Sequence, residues 1–94
     1  MTTLVWGSSF KRALRKTIRR RPELREQIEQ ALRRLSADPF DPILRTHKLK
    51  GGLAGTWACT AEYDCRIIFE FEVNPDTGQD EILLIDVGTH DEVY

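Results

Sequence analysis

The apolar residues of this chain change period once, and that change decides most of what it can fold into. Between Phe10 and Leu35 they recur every three or four positions, as on the buried stripe of a helix, whereas from Cys65 to Val73 they recur at every second position, as on one face of a strand. Helices gathered in one stretch and strands in another make an α+β fold, with the helices stacked on a sheet. A length of 94 residues suits one such unit, so a single domain spanning residues 1–94 is expected.

Local signals mark the pieces. Thr2 to Trp6 is rich in β-branched and aromatic residues and is closed by Gly7, which predicts a first strand. A helix follows, with Phe10, Ala13, Leu14, Thr17 and Ile18 on one face, Lys11, Arg12, Arg15, Lys16 and Arg19 on the other, and Ser8 or Ser9 as its cap. Pro22 disfavours helix at Arg21 and suits the first turn of a second helix, whose apolar face is Leu24, Ile28, Ala31, Leu32 and Leu35. Ser36-Ala37-Asp38-Pro39 stops it.

Strand signals fill the rest. Leu44 to Lys50 reads as a strand leading into a turn through Gly51, Gly52 and Gly55. Thr56 to Thr60 and Cys65 to Val73 read as a hairpin around Ala61 to Asp64, with Ile67, Phe69, Phe71 and Val73 on one face and Arg66 on the other. After the turn Asn74 to Gly78, the segment Glu81 to Val87 is apolar on both faces at its centre, as an interior strand is. The order β-α-α-β-β-β-β predicts an N-terminal strand and an αα-hairpin packed on one face of a twisted, mainly antiparallel sheet, with the other face left to bind.

The formal net charge of −1 hides a split. Residues 1–50 hold 13 of the 14 basic groups against five acids, and residues 51–94 hold Arg66 against ten acids. Such asymmetry points to a surface that meets a polyanion or an acidic partner. No apolar run approaches the roughly 20 residues that span a bilayer, and the N-terminus lacks a signal-peptide pattern, so a cytoplasmic protein without membrane contact is expected. Cys59 and Cys65 have five residues between them and no His-x-x-x-His pair beside them, which favours packing over zinc. No metal or cofactor is called for.

Chemistry-bearing residues are few. His47 and His90 are the two histidines, and both stand in polar company. RNA carries its own nucleophile, the 2′-hydroxyl, so a protein that cuts it without a metal needs a base, an acid for the departing 5′-oxygen and cations for the phosphate charge. His47 and His90 suit the first two roles because an ordinary imidazole titrates near pH 6.5. Lys48, Lys50 and Arg66 suit the third, and Trp57 or Tyr94 can stack on an unpaired base. Taken singly, each has an ordinary reading: surface histidines, lysines guarding an edge strand, an ion-paired arginine, rim aromatics.

In combination these residues resemble a known family. His47-Lys48-Leu49-Lys50-Gly51, Trp57-Ala58-Cys59, Asp64-Cys65-Arg66-Ile67-Ile68-Phe69 and the terminal Gly88-Thr89-His90-Asp91-Glu92-Val93-Tyr94 resemble the RelE/ParE toxin superfamily, and within it the YafQ-like branch. The resemblance implies a RelE-like fold and a toxin of a type II toxin–antitoxin system. Such a toxin is a ribosome-dependent mRNA endonuclease that works without a metal and is held inactive by a cognate antitoxin. It assigns His90, His47, Asp64 and Arg66 to the catalytic site. Lys48, Lys50, Tyr94 and Trp57, with Arg15 and Arg19 of the basic first helix, go to the RNA or ribosome. Two positions depart from the branch: Thr60 stands where a histidine is expected and Asp86 where an arginine is. A carboxylate at the second position opposes developing negative charge, which Arg66 is placed to offset. The alternatives from other classes are a ParE-like DNA gyrase poison without nuclease activity, and a catalytically silent member that binds only the antitoxin.

Overall fold

Thr3–Trp6 forms the first strand (β1), and the chain turns at Gly7 directly into the first helix (α1, Ser8–Arg20). The turn brings two backbones together: the Gly7 amide donates to the Leu84 carbonyl at 3.2 Å, and a Cβ at Gly7 would stand 2.7 Å from that oxygen. Only glycine allows this approach without moving main chain. The computed structural model describes residues 1–50, 55–62 and 64–89.

α1 ends at Arg20, as Pro22 requires, and the second helix (α2) runs Leu24–Ala37. Pro22 lies in the connecting turn rather than in the first turn of α2. Four further strands follow: β2 (His47–Lys48), β3 (Trp57–Glu62), β4 (Cys65–Val73) and β5 (Asp80–Thr89). They form one sheet in the order β1-β5-β4-β3-β2, in which β1 runs parallel to β5 and the other pairs are antiparallel. The expected α+β layers are therefore present.

Two further expectations need correction. Leu44 to Lys50 is not a continuous strand, because Asp41 accepts a hydrogen bond from the Ile43 amide at 2.9 Å and starts a 3-10 turn over Pro42–Leu44. Arg45 then adopts a left-handed backbone with φ 52°, and only His47–Lys48 remains to pair. The turn expected through Gly51 and Gly52, and Tyr63 of the β3–β4 connection, lie outside the described residues. Second, neither Ser8 nor Ser9 caps α1: Gly7 holds the cap position and makes no side-chain hydrogen bond there. Ser9 instead donates its hydroxyl to the Ile85 carbonyl at 2.8 Å.

The long strand presents the expected face but outruns the layer that covers it. Phe10, Leu24, Ile28 and Leu35 of the helices close over Cys59, Ile67, Phe69, Ile82 and Leu84 of the sheet, with Leu44 sealing one side. Each such side chain contributes about 1.5–3 kcal/mol on burial. Phe71 and Val73 continue the same face of β4 but run past the helices, and they are 38% and 60% exposed. Alternation places a residue on a face; it does not tell how far the covering layer reaches.

β5 carries an irregularity that positions the site. Ile68 of β4 faces Asp86 and the next residue, Phe69, faces Leu84, so Ile85 is an extra residue on β5. Beyond Leu84, where its pairing with β1 ends, β5 has α1 beside it: Ser9 donates to the Ile85 carbonyl and Thr17 to the Val87 carbonyl at 3.3 Å. Hydroxyls thus satisfy main-chain oxygens that a longer β1 would have taken.

Candidate functional site

Residues directly opposed in a sheet share a face, and successive residues alternate. Because Cys59, Ile67, Phe69 and Leu84 face the helices, the row His47, Ala58, Ile68, Asp86 crosses four strands on the helix-free face. The neighbouring row on that face is Thr60, Arg66, Gly88. Three strand steps separate His47 from Asp86, about 14 Å. Arg66 is the diagonal neighbour of Asp86, within reach of a long side chain.

This face is not bare. Ala58 and Ile68 at its centre are 0% and 3% exposed, Thr60, Arg66 and Asp86 are half-buried, and His47 is exposed at the edge. His47 Nδ1 lies 2.9 Å from the Arg45 carbonyl, which the left-handed turn at Arg45 directs back at the ring. An imidazole that donates from Nδ1 carries its basic lone pair on Nε2. Arg66 Nη1 donates to the Cys65 carbonyl at 3.3 Å, and Asp86 Oδ1 accepts from the Val87 amide at 2.9 Å.

The remaining sequence-derived candidates are dispersed. Lys48 is opposite Trp57 on the helix side of the sheet, with its ammonium 5.8 Å from the centre of the indole, so it does not share a face with His47 and Arg66. Trp57 belongs to an aromatic group with Phe40 and Phe71, at ring separations of 5.6 and 5.3 Å. The three rings line a groove of about 460 Å³ that opens beside Pro39 and Asp80, away from the helix-free face. Sequence reading missed Phe40, since a lone aromatic in a proline-rich loop carries no periodic signal. Lys50 is exposed beyond β2, Asp64 is exposed just before β4, and Arg15 and Arg19 are exposed one turn apart on α1. His90 and Tyr94 lie outside the described residues.

Cys59 and Cys65 form no disulfide and are buried on the helix side of the sheet, opposite to the side His47 faces, so the three cannot meet at one ion. Burial, reinforced by Cys65 and opposed by Arg66, pushes the Cys59 thiol up to about 12. In the unfolded chain it ionises near ~8.5. The folded state therefore keeps a proton that the unfolded state loses. This contribution to stability is complete below about pH 8.5 and falls as pH rises toward 12, by up to about 1.4 kcal/mol per unit. Urea unfolding at pH 8 and pH 10 is expected to show a steeper loss for the wild type than for Cys59→Ala; parallel losses would show that this thiol is not responsible.

Comparison with solved structures places the architecture. The E. coli YafQ toxin superposes with a TM-score of 0.79 at 12% identity, over 100% of this chain and 99% of that one. A YoeB/ParE toxin from Agrobacterium tumefaciens gives 0.74 at 21% identity, over 95% and 99%. The E. coli DinJ–YafQ complex gives 0.76 at 14% identity, over 100% and 99%. The helix pair on a five-stranded sheet is thus the fold of RelE/YafQ-like toxins. No curated protein matches the sequence. A family model does, over residues 2–94: the chain belongs to the YafQ family of bacterial toxins of type II toxin–antitoxin systems.

Proposed function

We propose that this toxin is a ribosome-dependent mRNA endonuclease that cuts by acid–base chemistry, with the RNA 2′-hydroxyl as nucleophile. The observation that carries the reading is that His47 and Arg66 share the helix-free face, one strand row apart. His47 Nε2 takes the proton of the 2′-hydroxyl, whose oxygen attacks the adjacent phosphorus. The 5′-oxygen leaves with a proton from His90, and the products are a cyclic phosphate and a 5′-hydroxyl. Arg66 balances the charge that develops on the phosphate oxygens. Asp64 completes the catalytic set.

Lys50 and the exposed Arg15 and Arg19 supply attraction to ribosomal RNA, a screened, long-range contribution that needs no shared face with His47. Lys48 and Trp57, being on the other side of the sheet, serve in contacts to the ribosome rather than to the cut phosphate. Tyr94 stacks on a substrate base. A cognate antitoxin, as DinJ is to YafQ in E. coli, holds the toxin inactive. No helix among the described residues is long and apolar enough to cross a membrane, which suits action in the cytoplasm.

Induction of the wild-type chain in bacteria is expected to arrest growth and truncate transcripts, and His90→Ala or His47→Ala is expected to relieve both. Equal toxicity in the His90 variant would sink the mechanism. A second reading, a silent member that only binds its antitoxin, is favoured by Asp86, the carboxylate on the same face as Arg66. Induction without arrest, together with tight antitoxin binding, would decide for it.

A further inference from the structure

The helix layer stops short of one end of the sheet, and three aromatic rings gather where it stops. Phe40 comes from the loop after α2, Trp57 from β3 and Phe71 from β4. Phe40 and Phe71 lie nearly parallel at 5.8 Å and Trp57 stands edge-on to both, so the rings form one wall of the groove of about 460 Å³. The loop that carries Phe40 is held in place: the Thr46 hydroxyl donates to the Pro39 carbonyl at 2.5 Å, and the Phe40 amide donates to Asp38 Oδ1 at 3.0 Å. The wall is nevertheless open to solvent, with Phe40 57% exposed. A fixed, exposed aromatic surface is the usual material of an interface hot spot.

The charges around the groove select among occupants. The charged residues that line it are Glu72 and Asp80, both exposed, and neither makes an ion pair or a side-chain hydrogen bond among the described residues. Lys48, over the Trp57 ring, marks the other end: Trp57 is opposite Phe69, whereas Asp80 is opposite Val73, four residues and about 13 Å farther along β4. Carboxylates repel phosphates, so a nucleic acid does not fit. Two copies of the groove set face to face leave both hollows unfilled, so a second copy does not fit either. A protruding protein segment does, with an apolar side chain for the wall and a cation for the carboxylates. Resting on the antitoxin reading above, we propose that the groove seats a segment of the antitoxin. That segment sets an aliphatic or aromatic side chain against Phe40 and Phe71 and a lysine or arginine beside Asp80. Its seat is on the side of the sheet away from His47. By covering Trp57 it competes with the ribosome and need not reach the cut phosphate.

The test uses the full chain co-expressed with the product of the neighbouring gene, separated from it and titrated back by calorimetry. Phe40→Ala is expected to weaken binding by at least roughly 30-fold, as truncation of an aromatic hot spot does. Asp80→Lys is expected to weaken it about tenfold, with the deficit shrinking as salt is raised. Ile43→Ala removes an apolar side chain that is 62% exposed in the same loop but off the groove, and it should bind like the wild type. All three positions are at the surface or in the loop, and their melting temperatures serve as the folding check. Unchanged binding by either groove variant, or an equal loss with Ile43→Ala, overturns the proposal and leaves the antitoxin reading standing. A wild type that does not bind the neighbouring product takes both down. A dimer of the toxin alone that Phe40→Ala dissociates assigns the groove to a second copy. Groove variants that bind the antitoxin normally but no longer arrest growth assign it to the ribosome, and either result overturns the proposal.

Discussion

Replacing Phe69 by alanine is expected to lower stability by about 3–5 kcal/mol. Domains of this size hold only about 5–15 kcal/mol in total, so the variant should melt at least ~12 °C below the wild type. The loss is large because Phe69 sits midway along β4 with Trp57 opposite on one side and Leu84 on the other, is 0% exposed, and meets Phe71 edge-on at 5.4 Å. Removing the ring leaves a void that neither neighbouring strand can fill without losing its own register. Val73, on the same face of the same strand but 60% exposed, is the internal control. Val73→Ala should change stability by under ~1 kcal/mol. Similar losses for both would mean that the helix layer does not end where the structure has it end.

Arg66→Ala is expected to slow transcript cleavage about 100- to 1000-fold, the usual result of removing a group aimed at developing oxyanion charge. Melting should shift less than it does for Phe69→Ala, because the Arg66 side chain is only half-buried. Arg66→Lys retains the charge but not the planar fork, and should recover part of the rate. Wild-type cleavage by the alanine variant would remove the guanidinium from the mechanism. A drop that lysine does not repair at all would indicate that the fork's geometry, rather than its charge, matters.

Elements whose signal is local were legible in the sequence. Pro22 separates two helices whose stripes are regular, Gly7 ends β1, and the alternation of Cys65–Val73 matches β4 residue for residue. The run Ile82-Leu83-Leu84-Ile85 is where legibility stops. Apolar at every position, it carries no period, so a one-residue slip within it leaves no trace in the sequence, and the direction of Asp86 depends on that slip. β2 was overestimated for a different reason. Leu44 looks like a strand residue, yet the Asp41-Pro42 pair starts a turn at that point, and turn chemistry over three residues outweighs a weak strand preference.

The site shows the same division. Family resemblance identified His47 and Arg66, and the register of two antiparallel strand pairs brings them to one face. Lys48, which it assigned to the RNA or ribosome, stands opposite Trp57 on the other face. A two-residue strand gives alternation nothing to count against; only its partner strand reveals which way each residue points.

That brevity has a thermodynamic side. β2 is joined to the sheet at two residue pairs, with the Leu49 amide on the Thr56 carbonyl at 3.0 Å beyond them, whereas β4 pairs with β5 along its length and with β3 from Cys65 to Phe69. Opening the β2 edge therefore breaks fewer strand pairings than unfolding the sheet and requires less free energy, so its amides should exchange with solvent well before those of β4. His47 rides on that edge. A ligand that binds only the closed edge must supply the free energy of closing it, and its occupancy would be read directly as slowed exchange at His47 and Lys48.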